Sequence, residues 1–369
     1  MKIDILGGLT ARAFIAEYWQ KKPLLVRGAI PGFGGMLSPD ELAGLACEED
    51  AQSRLVINRR GKWRVESGPF DEARFAGLPA KGWSLLVQGV NHFLPQADEL
   101  LHRFDFIPRA RLDDLMVSYA PDGGGVGPHF DSYDVFLLQG SGRRLWRVSA
   151  QRDMALVPDA PLRILQHFET EQEWLLEPGD MLYLPPRLAH WGIAVGDCMT
   201  WSIGFRAPAA GELATHFLGF LQEQAQLQGM YADPDLKRQR RPALIGRQMV
   251  GKVSRMLSRI AWNDADVGRF LGTYLTEPKP HIVFERPRRI SREQFLLRLQ
   301  QQGIRLGLKT RMLYLKGQFF INGESCRFSG TAKKRMAELA DRRSLPAMQE
   351  WPDAVVEQLH QWYLTGYLE

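Results

Sequence analysis

Gly127-Pro-His129-Phe-Asp131-Ser-Tyr133-Asp-Val-Phe-Leu-Leu-Gln139-Gly-Ser-Gly-Arg143-Arg144-Leu-Trp146-Arg-Val148 decides how this chain folds. Val135-Phe-Leu-Leu-Gln139 is an apolar run of strand length. Gly140-Ser-Gly142 is a turn, and Arg143 to Val148 reads as a second strand. Upstream, Asp122-Gly-Gly-Gly-Val-Gly-Pro128 is a turn that tolerates unusual dihedrals. Downstream, Trp174-Leu-Leu-Glu-Pro-Gly-Asp180-Met-Leu-Tyr-Leu-Pro185-Pro186 repeats the plan: strand, tight turn, strand, Pro-Pro stop. Thr200-Trp-Ser-Ile-Gly-Phe205 is a last strand. Short strands with Gly and Pro punctuation predict an antiparallel double sheet. The expected fold is a mainly β core, a double-stranded β-helix of jelly-roll or cupin-like form, with added helices.

The run also carries chemistry. His129 and Asp131 stand one residue apart, and His190 follows in Leu184-Pro-Pro-Arg-Leu-Ala-His190-Trp191. Two imidazoles and a carboxylate occupy one face of an octahedral Fe(II) and leave the other face open. The pair suits a strand end, and the distal His must come from a strand remote in sequence but close in space. The other histidines (His92, His102, His167, His216, His281, His360) have no partner spacing and read as surface or satisfied core residues. An open Fe(II) site implies dioxygen chemistry, and a 2-oxo acid can supply the missing electrons by decarboxylation. Its far carboxylate needs a cation, for which the planar fork of arginine is well shaped. Strand alternation sends Arg143 and Arg144 to opposite faces, so one can point into the barrel.

These segments, together with Tyr18-Trp-Gln-Lys-Lys-Pro-Leu-Leu-Val-Arg27 and Asp113-Asp114-Leu-Met-Val-Ser118, resemble the Jumonji-C-type ribosomal oxygenases. Within that group they resemble the bacterial ribosomal protein arginine hydroxylases. The resemblance spans roughly residues 10 to 206. It implies His129, Asp131 and His190 as iron ligands and Arg144 as partner of the distal carboxylate of 2-oxoglutarate. It places Tyr133 and Asp114 against a substrate arginine, whose guanidinium suits an aromatic face and a carboxylate. Ser118 and Ser202 would add hydroxyl contacts near the co-substrate. The implied reaction is Fe(II)-, 2-oxoglutarate- and dioxygen-dependent hydroxylation of an arginine β-carbon in a large-subunit ribosomal protein. Demethylation of N-methylated side chains, histidine hydroxylation, and a non-catalytic metal-binding cupin are the alternatives.

Three segments follow along the 369 residues. Residues 1–206 are expected to form the Jumonji-C oxygenase domain, with helices over Thr10 to Trp19, Ser38 to Ala46 and Ala97 to Phe104, and a strand over Trp83 to Gln88. Residues 207–277 read as three helices, Gly211 to Gln224, Arg247 to Ile260 and Asp264 to Thr276, whose apolar faces are too many for so small a set to bury alone. Pairing with a second chain is expected, and the resemblance implies a homodimer through this helical dimerisation segment. Residues 278–369 read as a winged-helix-like α+β domain: helices over Ser291 to Gln302, Thr331 to Asp341 and Trp351 to Leu364 flank short strands around an Asn322-Gly323 turn.

With 45% hydrophobic and 24% charged residues the composition is that of a globular chain. No apolar run approaches the roughly 20 residues of a membrane span. The start lacks a leader-type apolar core, and Cys47, Cys198 and Cys326 form no motif; both point to a reduced, cytoplasmic setting. The net charge of +5 is concentrated late, at Lys237-Arg-Gln-Arg-Arg241, Arg286-Pro-Arg-Arg289 and Lys333-Lys-Arg335. These runs are expected to be solvated faces; nucleic-acid contact through them would be non-specific, because no interleaved aromatics accompany them.

Overall fold

Asp134–Gln139 is buried at every residue, which explains its unbroken apolar run: it lies between two layers. In a strand, neighbours face opposite sides. Val135 and Leu137 join Trp146, Leu182 and Leu184 in the space between two sheets. Phe136 and Leu138 face the other way, into a helix-covered core with Phe14, Leu101 and Phe104. The computed structural model describes residues 4–224 and 230–369; Met1, Lys2 and Ile3, part of the start read as leaderless, lie outside the described residues.

In chain order the first part contains α1 (Ala11–Glu17), β1 (Leu24–Val26), α2 (Pro39–Leu45), β2 (Ser53–Arg59), β3 (Lys62–Ser67), α3 (Glu72–Ala76), β4 (Trp83–Val87), α4 (Pro95–His102), β5 (Leu112–Ala120), β6 (Asp134–Gln139), β7 (Arg143–Ser149), β8 (Gln172–Leu176), β9 (Met181–Leu184), β10 (Ala189–Val195) and β11 (Cys198–Phe205). The larger sheet has the order β1-β9-β6-β11-β5-β4-β2-β3 and the smaller β10-β7-β8. The strand pairs are antiparallel, as in β11 against β5 and β6, and β10 against β7. This is the double-stranded β-helix expected from the strand-turn-strand runs. β2, β3 and β5 were not foreseen, and they form much of the larger sheet. The Gly-rich turn lies flush on the sheets: a Cβ on Gly124 would come within 2.1 Å of the Trp83 carbonyl, and one on Gly125 within 2.3 Å of the Gly192 carbonyl.

Helix starts follow their caps. Thr10 Oγ1 accepts a bond from Ala13 N at 3.1 Å at the start of α1. Ser38 and Glu41 form a capping box at α2 with Pro39 in the first turn. Beneath the large sheet, Asp134 is fully buried and accepts from Tyr183 Oη at 2.6 Å and Gln20 Nε2 at 2.9 Å, with Arg111 Nη2 at 3.3 Å. That network ties the amino-terminal segment to β6 and β9.

The second part holds α5 (Ala210–Gln224), α6 (Arg247–Leu257), α7 (Asp264–Thr276), α8 (Arg292–Gln302), β12 (Ile304–Arg305), β13 (Met312–Leu315), β14 (Gln318–Ile321), β15 (Glu324–Arg327), α9 (Gly330–Arg342), β16 (Ser344–Leu345) and α10 (Asp353–Thr365). α6 buries none of its residues. α8, α9 and α10 close over the small sheet around Phe295, Leu299, Phe319, Met336 and Trp362, a winged-helix arrangement. Asn322 and Gly323, with φ of 46° and 87°, turn β14 into β15, a strand not foreseen. α7 lies on this sheet so closely that a Cβ on Gly272 would sit 2.3 Å from the Phe320 ring. Lys309–Asp50 at 2.6 Å and Arg343–Asp98 at 3.1 Å join the winged helix to the barrel. Among the described residues no helix is long and apolar enough to cross a membrane.

Candidate metal centre and co-substrate cavity

His129 and His190 face each other across an isolated antiparallel bridge. Each backbone N–H donates to the other's carbonyl, at 2.9 and 2.8 Å. This reciprocal pair fixes the two residues side by side and brings their rings to a centroid separation of 4.2 Å. His190 is the second residue of β10, while His129 and Asp131 lie on the short segment leading into β6. Each imidazole is oriented from behind: His129 Nδ1 lies 2.9 Å from the Gly127 carbonyl and His190 Nδ1 2.9 Å from the Leu188 carbonyl. Donation to a carbonyl puts the proton on Nδ1 and leaves the Nε2 lone pair free. Both Nε2 atoms then point at Asp131 Oδ2, from 4.0 Å (His129) and 3.5 Å (His190). The three ligand atoms lie within 4.8 Å of one another. Burial, and then His129, push the His190 pKa down to about 4, so its lone pair is available at neutral pH. A His/His/carboxylate set with one side open fits a divalent iron.

These residues sit on the wall of a 410 Å³ cavity between the sheets. Arg144, on β7, reaches the same cavity and is 6% exposed; Arg143 is exposed on the opposite face. Arg144 Nη1 donates to Ser118 Oγ at 3.4 Å, while its Nε and Nη2 are buried without a partner. Buried guanidinium N–H groups without acceptors are costly, and a carboxylate in the cavity would satisfy both in bidentate fashion. Ser202, on β11, also lines the cavity.

Tyr133 and Asp114 line the same cavity. Burial, followed by the Asp131 carboxylate, pushes the Tyr133 phenol up, so it stays protonated. Asp114 is 6% exposed and next to Asp113 on β5. Lys279 Nζ stands 3.3 Å from Asp114 Oδ2 and 3.5 Å from Asp113 Oδ1. Burial and the Asp113 charge raise the Asp114 carboxyl. Burial would raise Asp113 too, but Lys279, Arg206 and Arg311 outweigh it and hold that carboxyl below the usual range.

Sequence reasoning missed one wall of the cavity. Arg54 on β2 and Ser84 on β4 face into it, and Arg54 Nε and Ser84 Oγ are buried without partners. The signal was the alternation Arg54-x-Val56 and Ser84-x-Leu86-x-Gln88, each triplet's alternate members lining the cavity. The loop through Leu162, Arg163 and Ile164 closes another side, with the Arg163 guanidinium 4.7 Å over the Phe130 ring.

A double-stranded β-helix holding a His-x-Asp and distal His set above a buried arginine has the design of the JmjC oxygenases. Residues 99–213 match the JmjC domain and residues 259–369 the ROXA-like winged helix. The ribosomal protein uL16 3-hydroxylase of Escherichia coli K12 is 36% identical over 315 residues, covering 84% of each chain. A probable ribosomal oxygenase of Haemophilus influenzae is 42% identical over 209 residues, 56% of this chain and 52% of that protein. The X-ray structure of E. coli YcfD superposes with a TM-score of 0.85 at 32% identity, covering 98% of each chain. The structure of YcfD in complex with cobalt and 2-oxoglutarate gives 0.82 at 33% identity and the same coverage. The chain belongs to the JmjC-domain ribosomal oxygenases.

Proposed function

We propose that this chain is an Fe(II)- and 2-oxoglutarate-dependent dioxygenase that hydroxylates the β-carbon of an arginine in a large-subunit ribosomal protein. The observation that carries the reading is the convergence of His129, Asp131 and His190 in the cavity that also holds the unsatisfied N–H groups of Arg144. The kinship with a ribosomal protein uL16 3-hydroxylase takes the substrate to uL16, since carbon 3 of an amino acid is its β-carbon. The enzyme would work in the cytoplasm, where the ribosomal protein is made, and as a homodimer joined through α5 and α6.

His129, Asp131 and His190 would hold the iron. The bound metal, with 2-oxoglutarate and dioxygen, supplies the oxidation: the 2-oxo acid loses carbon dioxide to become succinate, one oxygen atom enters that carboxylate, and the other enters the substrate C–H bond. The protein's part is geometry and shielding. The carbonyls of Gly127 and Leu188 keep both imidazoles in the tautomer that presents Nε2. Arg144 takes the far carboxylate of 2-oxoglutarate, with Ser118 and Ser202 beside it. Val135, Leu137 and Trp146 line the cavity with apolar surface and exclude water. Asp114 and Tyr133 receive the substrate guanidinium, and fixing that end of the side chain selects one carbon for reaction.

Intact-mass and fragment-ion analysis of uL16 incubated with enzyme, Fe(II) and 2-oxoglutarate tests the assignment. The expected result is the gain of one oxygen atom on an arginine, coupled to succinate formation. Methyl loss, or oxygen on a histidine, would move the enzyme to a demethylase or a histidine hydroxylase. The variant His129→Ala should yield no modified uL16 while keeping the wild-type circular dichroism, because the reciprocal backbone bonds to His190 survive the substitution. Full activity in that variant would show the metal to be held elsewhere.

A further inference from the structure

The linker between α7 and α8 reaches the cavity wall. Pro278 and Pro280 restrict the backbone on both sides of Lys279, and the Lys279 carbonyl accepts from Ile282 N at 2.9 Å, closing a turn. From this braced position the Lys279 ammonium meets Asp113 and Asp114 together. Asp113 and Asp114 are not equally served. Asp113 also has Arg206 Nε at 3.2 Å and Arg311 Nη1 at 3.9 Å. Both carboxylates line the cavity, but Asp114 has Lys279 alone as its ion-pair partner among the described residues.

We propose that Lys279 is a positioning residue for substrate recognition: its ammonium clamps the Asp114 carboxylate in place as the anionic receptor for the guanidinium of the substrate. This rests on the reading of Asp114 as the arginine contact. The charge balance supports it. Facing Asp114 are Asp113 on its own strand, Lys279 and His281 from the linker, Arg311 ahead of β13, and the Tyr133 phenol ahead of β6. Arg311 is committed elsewhere, its Nη2 donating to the Leu112 carbonyl. Lys279 opposes the rise that burial and the Asp113 charge impose on the Asp114 carboxyl; without it that carboxyl takes up a proton more readily and attracts a guanidinium less. Lys279 bonds Oδ2, while Oδ1 lies on the side of Gly204, another cavity residue. Among the described residues Oδ1 accepts no hydrogen bond, and it is the oxygen offered to a ligand.

The test uses the full-length iron enzyme and a uL16 peptide containing the target arginine. Lys279→Met should raise the peptide KM about tenfold at pH 7, which corresponds to about 1.4 kcal/mol. It should also move the acidic limb of the kcat/KM profile for peptide upward by about one pH unit. The KM for 2-oxoglutarate is the internal control and should stay put. Lys279→Arg should restore most of the peptide affinity, a rescue that a filler role for the stem would not give. Lys279→Gln carries the same comparison should the Met variant fail to fold. In an Asp114→Asn background, Lys279→Met should add nothing. If Asp114→Asn raises the peptide KM but Lys279→Met changes neither KM nor the acidic limb, the role of Lys279 is overturned. A lower KM in Lys279→Met overturns it too, since Lys279 would then compete with the substrate. If Asp114→Asn leaves KM unchanged, the arginine-contact reading itself fails.

Discussion

At the scale of single residues, the cavity is defined by what its polar atoms lack. Arg144 is the sharpest instance: its Nη1 is bonded to Ser118 Oγ, but Nε and Nη2 are buried and idle. A protein that keeps a guanidinium in an apolar cavity bears the desolvation cost of that charge; a dicarboxylate co-substrate offsets it. Arg144→Ala removes a charge-assisted, two-pronged contact. Bonds to charged groups contribute on the order of 3 kcal/mol together, so the 2-oxoglutarate KM should rise about 100-fold. Initial rates at varied 2-oxoglutarate check this. A KM that does not move would shift the carboxylate to Arg54, the other cavity guanidinium with a buried, unpartnered N–H.

At the scale of elements, β6 is the hinge of the architecture because both its faces are buried. Phe136 packs within 4.9 Å of the Phe104 ring and 5.6 Å of Phe14, away from the cavity that Val135 and Leu137 line. Phe136→Ala should therefore cost about 3–5 kcal/mol of stability without a matching change in 2-oxoglutarate KM. Urea unfolding and steady-state kinetics on one preparation separate the two, and a KM change out of proportion to stability would contradict the two-sided reading. β6 also shows why part of the fold was legible in sequence. Val135 to Gln139 and Met181 to Leu184 are apolar runs stopped by Gly or Pro, and such runs declare themselves. β5 did not: Leu112-Asp-Asp-Leu-Met-Val-Ser-Tyr-Ala120 carries an acidic pair where a core strand has apolar residues. β2 ends in polar residues at both sides, Ser53-Arg54 and Asn58-Arg59. Some of the polar residues that hid these strands are cavity residues, Asp113, Asp114 and Ser118 on β5 and Arg54 on β2. The spacing of His129 and Asp131 was visible because both ligands come from one local segment. The Lys279–Asp114 contact spans two distant segments and leaves no local pattern.

At the scale of the molecule, two surfaces follow from the way the parts join. The first is α6, which buries none of its residues and exposes Met249, Val250 and Leu257. The homodimer proposed above would use these exposed apolar residues. Val250→Asp with Leu257→Asp should convert a species of twice the 42.0 kDa chain mass into a monomer by light scattering; a wild-type chain that is already monomeric would remove the contact. The second is the junction of barrel and winged helix, where His92 lines the crevices on both sides of the Thr310–Arg311 segment. Burial, and then Arg311, Lys279, His281 and Lys309, push His92 down to about 3. The unfolded chain returns it to about 6.5. Between these values the unfolded state binds a proton that the folded state refuses, so stability is fully present above about pH 6.5 and is lost as pH falls toward 3. His190, pushed down to about 4, adds a loss of the same sign. His92→Gln keeps a polar side chain and deletes the titration at the junction. In calorimetric scans of the metal-free protein, its Tm should fall less than that of the wild type between pH 6.5 and 4, while above pH 7 the two should run parallel. Equal falls in the acidic range would assign the acid sensitivity to His190 and His281, both held down in the fold, and a divergence confined to pH above 7 would show that Gln disturbs packing and leaves the charge argument without support.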